Sequence, residues 1–456
     1  MIGSPRLRRL IPLGAVAVLA LALAACARDY PNSTFSPHSD LGRAIDFLWG
    51  RLLFFGTVVF VLVEGALVFV IFRYRRKNED VMPPQTHGNV PLEITWTLIP
   101  AVILAFIAVP TVRTIFETQA KAPAGALVIE VYGHQWWWEF KYPQYNVVTA
   151  NEIYIPKGRT IDLVLQTKDV IHSFWMPQLA GKRDLIANHV NHIWFTPDAK
   201  MATTVWNGFC TEYCGTSHGE MHFRVVTVSP TQFGSWITHQ QAPGFFNAPV
   251  TPANPPGAVA STIVATATAT PDSAASTHPT TSSVPEKAGA PAIRIASTNG
   301  AAAPAPATPT VTAAQLASFI LPRAQVPAYA IPHTPLPDEI NFDDRLVGNA
   351  TNGEKLFVGA GTCNACHAIG GNPLAVGNIG PNLTHVGSRI AIGAGMYVND
   401  KPHLSRWIKN ARIMKQGNIM PTLGKGQYDP QAKTVTSTGL TDQQIADIVA
   451  YLQALR

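Results

Sequence analysis

Cysteine is scarce in this chain, with five in 456 residues. The five fall into three local patterns, each with its own chemistry, so none is left for a structural disulfide. That excludes a disulfide-stapled scaffold, although the chain is expected to enter a compartment that permits such bonds. The net charge is only +6, and no basic stripe is interleaved with aromatics, so nothing points to nucleic acid. No internal repeat is visible. Charge is also scarce in two long apolar runs, where Glu64 is the one ionisable residue, and large apolar residues are scarce in one long stretch. These gaps divide the chain.

The cysteines come first. Cys210-Thr-Glu-Tyr-Cys214-Gly-Thr-Ser-His218-Gly-Glu-Met221 places two thiols four apart, then an imidazole and a thioether. Soft donors of this kind select copper over harder cations, and no helix or strand periodicity requires them. His172, at the end of a predicted strand, can add a second imidazole. A zinc knuckle or a disulfide loop is the competing reading. Cys363-Asn-Ala-Cys366-His367 is a c-type haem attachment motif. Two thiols hold the porphyrin and the adjacent histidine ligates iron. Cys26 ends an apolar run that follows Arg6, Arg8 and Arg9, so residues 1–25 read as a signal peptide. Small residues directly before Cys26 resemble a lipoprotein cleavage site, which would make Cys26 the lipidated first residue.

Leu52 to Phe72 and Ile94 to Val112 are each apolar enough to span a bilayer, for which about 20 residues suffice. They define a transmembrane hairpin over residues 40–115. The basic cluster Arg73-Tyr-Arg-Arg-Lys77 between them belongs in the cytoplasm, so both ends of the hairpin face outward. Residues 126–230 alternate apolar and turn-bounded segments, predicting a β-sandwich. Residues 242–312 are rich in Ala, Pro, Thr and Ser and predict a disordered linker. Residues 313–344 are broken by proline, and wrapping a neighbouring domain is one use for them. Residues 345–456 are long enough for a small haem domain. Its last helix is signalled by a Thr441/Gln444 capping box and by Ile445, Ile448, Val449, Leu452 and Leu455 on one face.

Residues 40–230 resemble cytochrome c oxidase subunit II, with the copper loop as the most specific match. The fold implied is multidomain: a two-helix transmembrane hairpin, a cupredoxin-like β-sandwich and an all-α class I cytochrome c domain. The resemblance implies a dinuclear copper centre, CuA, bridged by Cys210 and Cys214. His172 and Met221 would serve one copper, and His218 and the Glu212 carbonyl the other. Gly133-His-Gln-Trp-Trp-Trp-Glu-Phe140 matches the family's aromatic segment, and the electron-entry role falls on Trp136. Trp137, where tyrosine is usual, and Trp138 are expected to pack the sandwich. Glu93, in Leu92-Glu-Ile-Thr-Trp-Thr-Leu-Ile-Pro100, matches a glutamate at the mouth of a proton path. An ionisable group at that depth is costly. The Glu212 side chain is expected on a magnesium ion shared with subunit I, a hard cation that suits carboxylate. The chain departs from the family at Ala187-Asn-His189, where Pro-Gly-Arg is usual. His134, His189, His192 and His222 show no ligand pattern, and Glu64 has no assigned role.

In the haem domain, Met420 in Gly417-Asn-Ile-Met-Pro421 matches the family's distal axial ligand, with Met396 and Met414 as competitors. His/Met ligation raises the reduction potential. The whole resembles subunit II of a caa3-type oxidase in a bacterial inner membrane. Its partners would be subunits I and III and an external cytochrome or other one-electron donor, with its domains on the periplasmic side. A CuA-bearing nitric oxide reductase subunit and a membrane-anchored copper-binding protein are the rival readings. The haem domain is expected to feed its own CuA, docking near Trp136 and swinging away on the linker.

Overall fold

The computed structural model describes residues 31–75, 85, 87–244 and 319–456. The signal peptide with Cys26, residues 76–77 of the basic cluster and nearly all of the 242–312 linker lie outside the described residues.

Helix α1 (Asp40–Arg73) and helix α2 (Val90–Gln119) pack as a hairpin, with mean hydropathies of 2.5 and 2.1 in their most apolar windows. Ser39 caps α1 by accepting from the Gly42 amide, and Asn89 caps α2 by accepting from Leu92. Both are apolar on all faces, as membrane helices are. At 34 residues, α1 is about 51 Å long, which exceeds a hydrocarbon core of about 30 Å. Its N-terminal turns therefore reach the β domain. Leu41 and Gly42 are buried there, and Arg43 pairs with Asp198 at 2.5 Å.

The β domain is a sandwich of two five-stranded sheets. One has the order β3 (Val147–Ala150), β2 (Trp137–Tyr142), β1 (Leu127–His134), β5 (Ile161–Thr167), β8 (Asn191–Phe195). The other runs β4 (Glu152–Pro156), β10 (His222–Val228), β9 (Thr204–Cys210), β6 (His172–Trp175), β7 (Arg183–Leu185). Alternation of buried and half-buried residues along β1 and β5 reflects the two-residue pleat period. Trp138, Phe140, Phe174 and Phe223 fill the core, the last two stacked at 4.3 Å. Trp137 differs from the expectation. Its neighbour Trp138 points inward, so the pleat turns Trp137 to the outer face, where it stacks on His134 at 4.1 Å. Helix α3 (Pro230–Gln241) closes one side by stacking Trp236 on Tyr154 at 4.5 Å.

The haem domain is built on α4 (Ala350–Val358), α5 (Lys401–Met414) and α6 (Asp442–Ala454), with α4 packed on α6. Asp447 ties them by accepting from the Asn349 amide at 2.8 Å and the Asn352 side chain at 2.5 Å. Thr441 and Gln444 form the reciprocal cap that starts α6. Residues 319–344 run across both domains. Leu321, Val326 and Ala330 enter the sandwich core, while Ile340 and Phe342 enter the haem-domain core. Tyr329 donates to the Val205 carbonyl at 2.9 Å, and Asn207 donates to the Tyr329 carbonyl at 3.1 Å.

The two domains also meet directly. The buried Glu152 carboxylate accepts from the amides of Ile390 (2.6 Å) and Ala391 (3.3 Å). Arg224 donates to the carbonyls of Ala330 (2.7 Å) and Gly395 (3.2 Å). Burial pushes the Glu152 carboxyl up, against the pull of Arg389 and the two amides. It pushes Arg224 down to about 10.

Candidate functional site

The copper loop is held at both ends. β9 and β10 are antiparallel neighbours, and the Cys210 amide donates to the Met221 carbonyl at 3.1 Å. The loop between them folds back, bringing its donors to one end of the sandwich. His172 opens β6, beside β9, so its ring reaches the same place. Cys210 Sγ lies 3.7 Å from Cys214 Sγ, 3.9 Å from His172 Nδ1 and 3.4 Å from the Glu212 carbonyl. Cys214 Sγ lies 3.6 Å from His218 Nδ1 and 3.9 Å from Met221 Sδ. All six expected ligands converge.

Their surroundings fix them. His172 is wholly buried, and its Nε2 is 2.8 Å from Asp169 Oδ1, leaving Nδ1 turned to the sulfurs. The two thiols share one proton: their hydrogen bond pulls the Cys210 thiol well below the ordinary range, with burial opposing and His172 helping, and pushes Cys214 up, so Cys210 is the thiolate of the pair. A thiolate is the metal-binding form. Both thiols are free, and 3.7 Å is far beyond the roughly 2.05 Å of a disulfide. A four-ligand zinc site would leave Met221 and the Glu212 carbonyl surplus. Two thiolates with donors on both flanks fit a copper pair.

The second site is a cavity of about 340 Å³ in the haem domain. Cys363, Cys366 and His367 line one side and Met420 another, with Phe357, Leu404, Ile408, Ile448 and Leu452 supplying apolar wall. His367 Nδ1 is 2.8 Å from the Pro381 carbonyl, which leaves Nε2 for iron. A Cβ on Gly380 would sit 2.5 Å from that ring, so the histidine needs glycine beneath it. Met396 and Met414 are buried in the apolar core and do not line the cavity. The residues fit a haem attached at the two thiols.

Trp136 belongs to both sites. Its indole Nε1 donates to the Cys214 carbonyl at 3.0 Å, and the neighbouring Gln135 side chain donates to the same oxygen at 2.8 Å. The residue also lines the haem cavity. Gly215 on the copper loop and Gly417 on the Met420 loop border its ring. Cβ atoms there would lie 3.0 and 2.6 Å from it.

The remaining expected residues lie elsewhere. Glu93 is exposed in the first turn of α2, where the positive end of the helix dipole favours a carboxylate. The Glu212 side chain is exposed. Ala187-Asn-His189 forms a turn in which the His189 amide donates to Ile186 and Asn188 has a φ of 60°. Sequence reasoning missed Asp169 and Lys415. Asp169 had a readable signal, standing three residues before His172. Lys415 had none.

Residues 36–114 match the family described as Cytochrome C oxidase subunit II, transmembrane domain, and residues 146–228 match its periplasmic domain. A probable cytochrome c oxidase subunit 2 of Rickettsia bellii is 35% identical over 207 residues, covering 41% of this chain and 75% of that one. The chain belongs to the cytochrome c oxidase subunit II family. Unlike a plain subunit II, it continues into residues 350–456, which match cytochrome c. A cytochrome c oxidase subunit 2 of Alkalihalophilus pseudofirmus is 26% identical over 98% of this chain and 97% of its own length. The crystallised periplasmic domain of subunit II from Bradyrhizobium japonicum is 28% identical over 26% of this chain and 97% of that one, with a TM-score of 0.25. The subunit II module carries CuA and the cytochrome module carries haem c. The chain is part of a haem-copper oxidase.

Proposed function

We propose that this chain is the electron-input subunit of a caa3-type oxidase. It takes electrons from an external cytochrome or other one-electron donor and delivers them to a subunit I that reduces oxygen. Haem c and CuA, when bound, supply reversible one-electron storage. The observation that carries the reading is Trp136, one ring that hydrogen-bonds the copper loop and lines the haem cavity.

The protein's residues have separable tasks. Cys210, Cys214, His172, His218, Met221 and the Glu212 carbonyl are the donors that would hold the copper pair. The close packing of these donors supports the assignment. Asp169 holds the His172 ring in place. His367 and Met420 would hold the haem iron, and two protein ligands there would suit it to electron transfer rather than oxygen binding. Glu93 stands at the cytoplasmic mouth of a proton path into subunit I. The exposed Glu212 carboxylate reaches a magnesium ion shared with that subunit. The hairpin sits in a bacterial inner membrane beside subunits I and III, with the copper and haem domains periplasmic and Cys26 lipidated.

The test is the purified complex supplied with a reduced donor. Oxygen consumption with negligible nitric oxide consumption is expected, as is reduction of haem c before CuA. Preferential nitric oxide turnover would overturn the oxidase reading in favour of a CuA-bearing nitric oxide reductase.

A further inference from the structure

We propose that Lys415 is a positioning residue for electron transfer from haem c to CuA, fixing the haem domain against Trp136. The proposal rests on the electron path given above. In that step one electron leaves reduced haem c, which is oxidised, and enters CuA, which is reduced. No bond forms or breaks and no proton moves.

Lys415 directly follows α5, and its amide closes the helix on the Ala411 carbonyl at 2.9 Å. Its side chain then leaves the haem domain. The ammonium donates to the carbonyls of Trp136 (2.8 Å), Glu220 (2.9 Å) and Gly393 (3.2 Å). An ammonium has three N–H donors, and here each finds an acceptor. One acceptor belongs to the residue that joins the two sites. One lies on the copper loop beside Met221, and one belongs to the haem domain itself. A single buried atom therefore ties three segments of two domains.

Packing alone does not call for this arrangement. Lys415 is only 4% exposed, and neutral carbonyls solvate the charge without cancelling it. Burial accordingly holds its pKa down at about 7, with Glu220 and Cys214 pulling the other way. A methionine would fill the same space at lower cost. What lysine adds is geometry. Ser217 donates to the Gln416 carbonyl at 2.5 Å, and Gly417 meets the Trp136 ring. Residues 415–417 thus lace onto residues 215–220 with the indole between them. Loss of the ammonium frees the lacing on the haem side, and the indole contact opens.

The experiment uses the purified complex with both cofactors loaded, comparing the unaltered chain with Lys415→Met and Lys409→Met. Lys409 is a suitable control because it is also buried, yet pairs with Asp442 and the Asn341 carbonyl inside the haem domain. Internal transfer is timed after light-triggered reduction of haem c, and amide exchange is followed over 214–221 and 415–420. We expect Lys415→Met to slow transfer about tenfold or more, the scale of one lost charge-assisted hydrogen bond. Exchange should rise in both segments. The methionine–haem absorption band and the CuA paramagnetic signal should stay intact, and Lys409→Met should leave the rate unchanged. Unchanged transfer in Lys415→Met overturns the proposal. So does slowing accompanied by loss of either spectral signature, because the role would then be structural. Absence of transfer in the unaltered chain overturns the electron path and, with it, the role of Lys415.

Discussion

Asp169 and His172 show how one side chain sets another. Burial works against the Asp169 charge, but hydrogen bonds from His172 and from the amides of Gln135 and Val170 outweigh it, so its pKa lies below the ordinary carboxylate range. Asp169→Asn should leave every copper ligand in place and weaken copper binding roughly 10–100-fold, as loss of such an orienting partner does. Competition with a chelator on the full chain measures this. Met420→Ala should abolish the methionine–haem band and lower the haem potential. Met396→Ala and Met414→Ala should keep the band while costing about 2–5 kcal/mol of stability, because both fill apolar core. At this scale the site was largely legible. Thiol and imidazole spacing within one loop is written in the sequence, whereas the partner of Lys415 lies 279 residues away and leaves no local trace.

The hairpin and the final helix could be read from hydropathy and from a capping box, both of which are local. For residues 319–344 the proline breaks and a use in wrapping a neighbouring domain could be read, but not which residues anchor it. Their anchors, Leu321, Val326, Ala330, Ile340 and Phe342, follow no period, because the segment conforms to two existing surfaces rather than to its own backbone. Helix α3 meets the haem domain through His239, whose ring lies 4.3 Å from that of His385. Burial pushes His239 down to about 4, with His385 adding to the effect, and burial lowers His385 too. These pKa values lie below their unfolded value near 6.5. Above that pH neither state is charged and the contact is at full strength. As pH falls from about 6.5 towards 4, the undocked form binds protons that the docked form refuses, and stability is lost. Amide exchange along α3 should therefore rise on acidification, with a shallower slope in His239→Phe. For α2, Glu93→Gln should slow steady-state oxygen consumption while leaving CuA reduction intact. Equal turnover across pH would reduce Glu93 to a surface carboxylate.

For the whole molecule, composition led to the expectation of a haem domain that docks near Trp136 and swings away on its linker, and in the structure that domain is docked on the copper domain. Glu152, Arg224 and Lys415 are all buried at the contact. Residues 319–344, anchored in the cores of both domains, add a second connection across the contact. Cutting the chain within residues 245–318 should therefore leave internal transfer equally fast on dilution, because residues 319–344 and the buried charges still hold the domains together. Single-turnover kinetics before and after proteolysis would check this, and a rate that falls with dilution would restore the swinging arrangement.

The position of the Trp136 indole has one more consequence. Here Trp136 faces the haem cavity and is walled by Gly215 and Gly417. On the electron path proposed above, current then reaches the copper pair by way of the haem. On that path, the choice of donor falls to the haem edge rather than to the copper domain's surface.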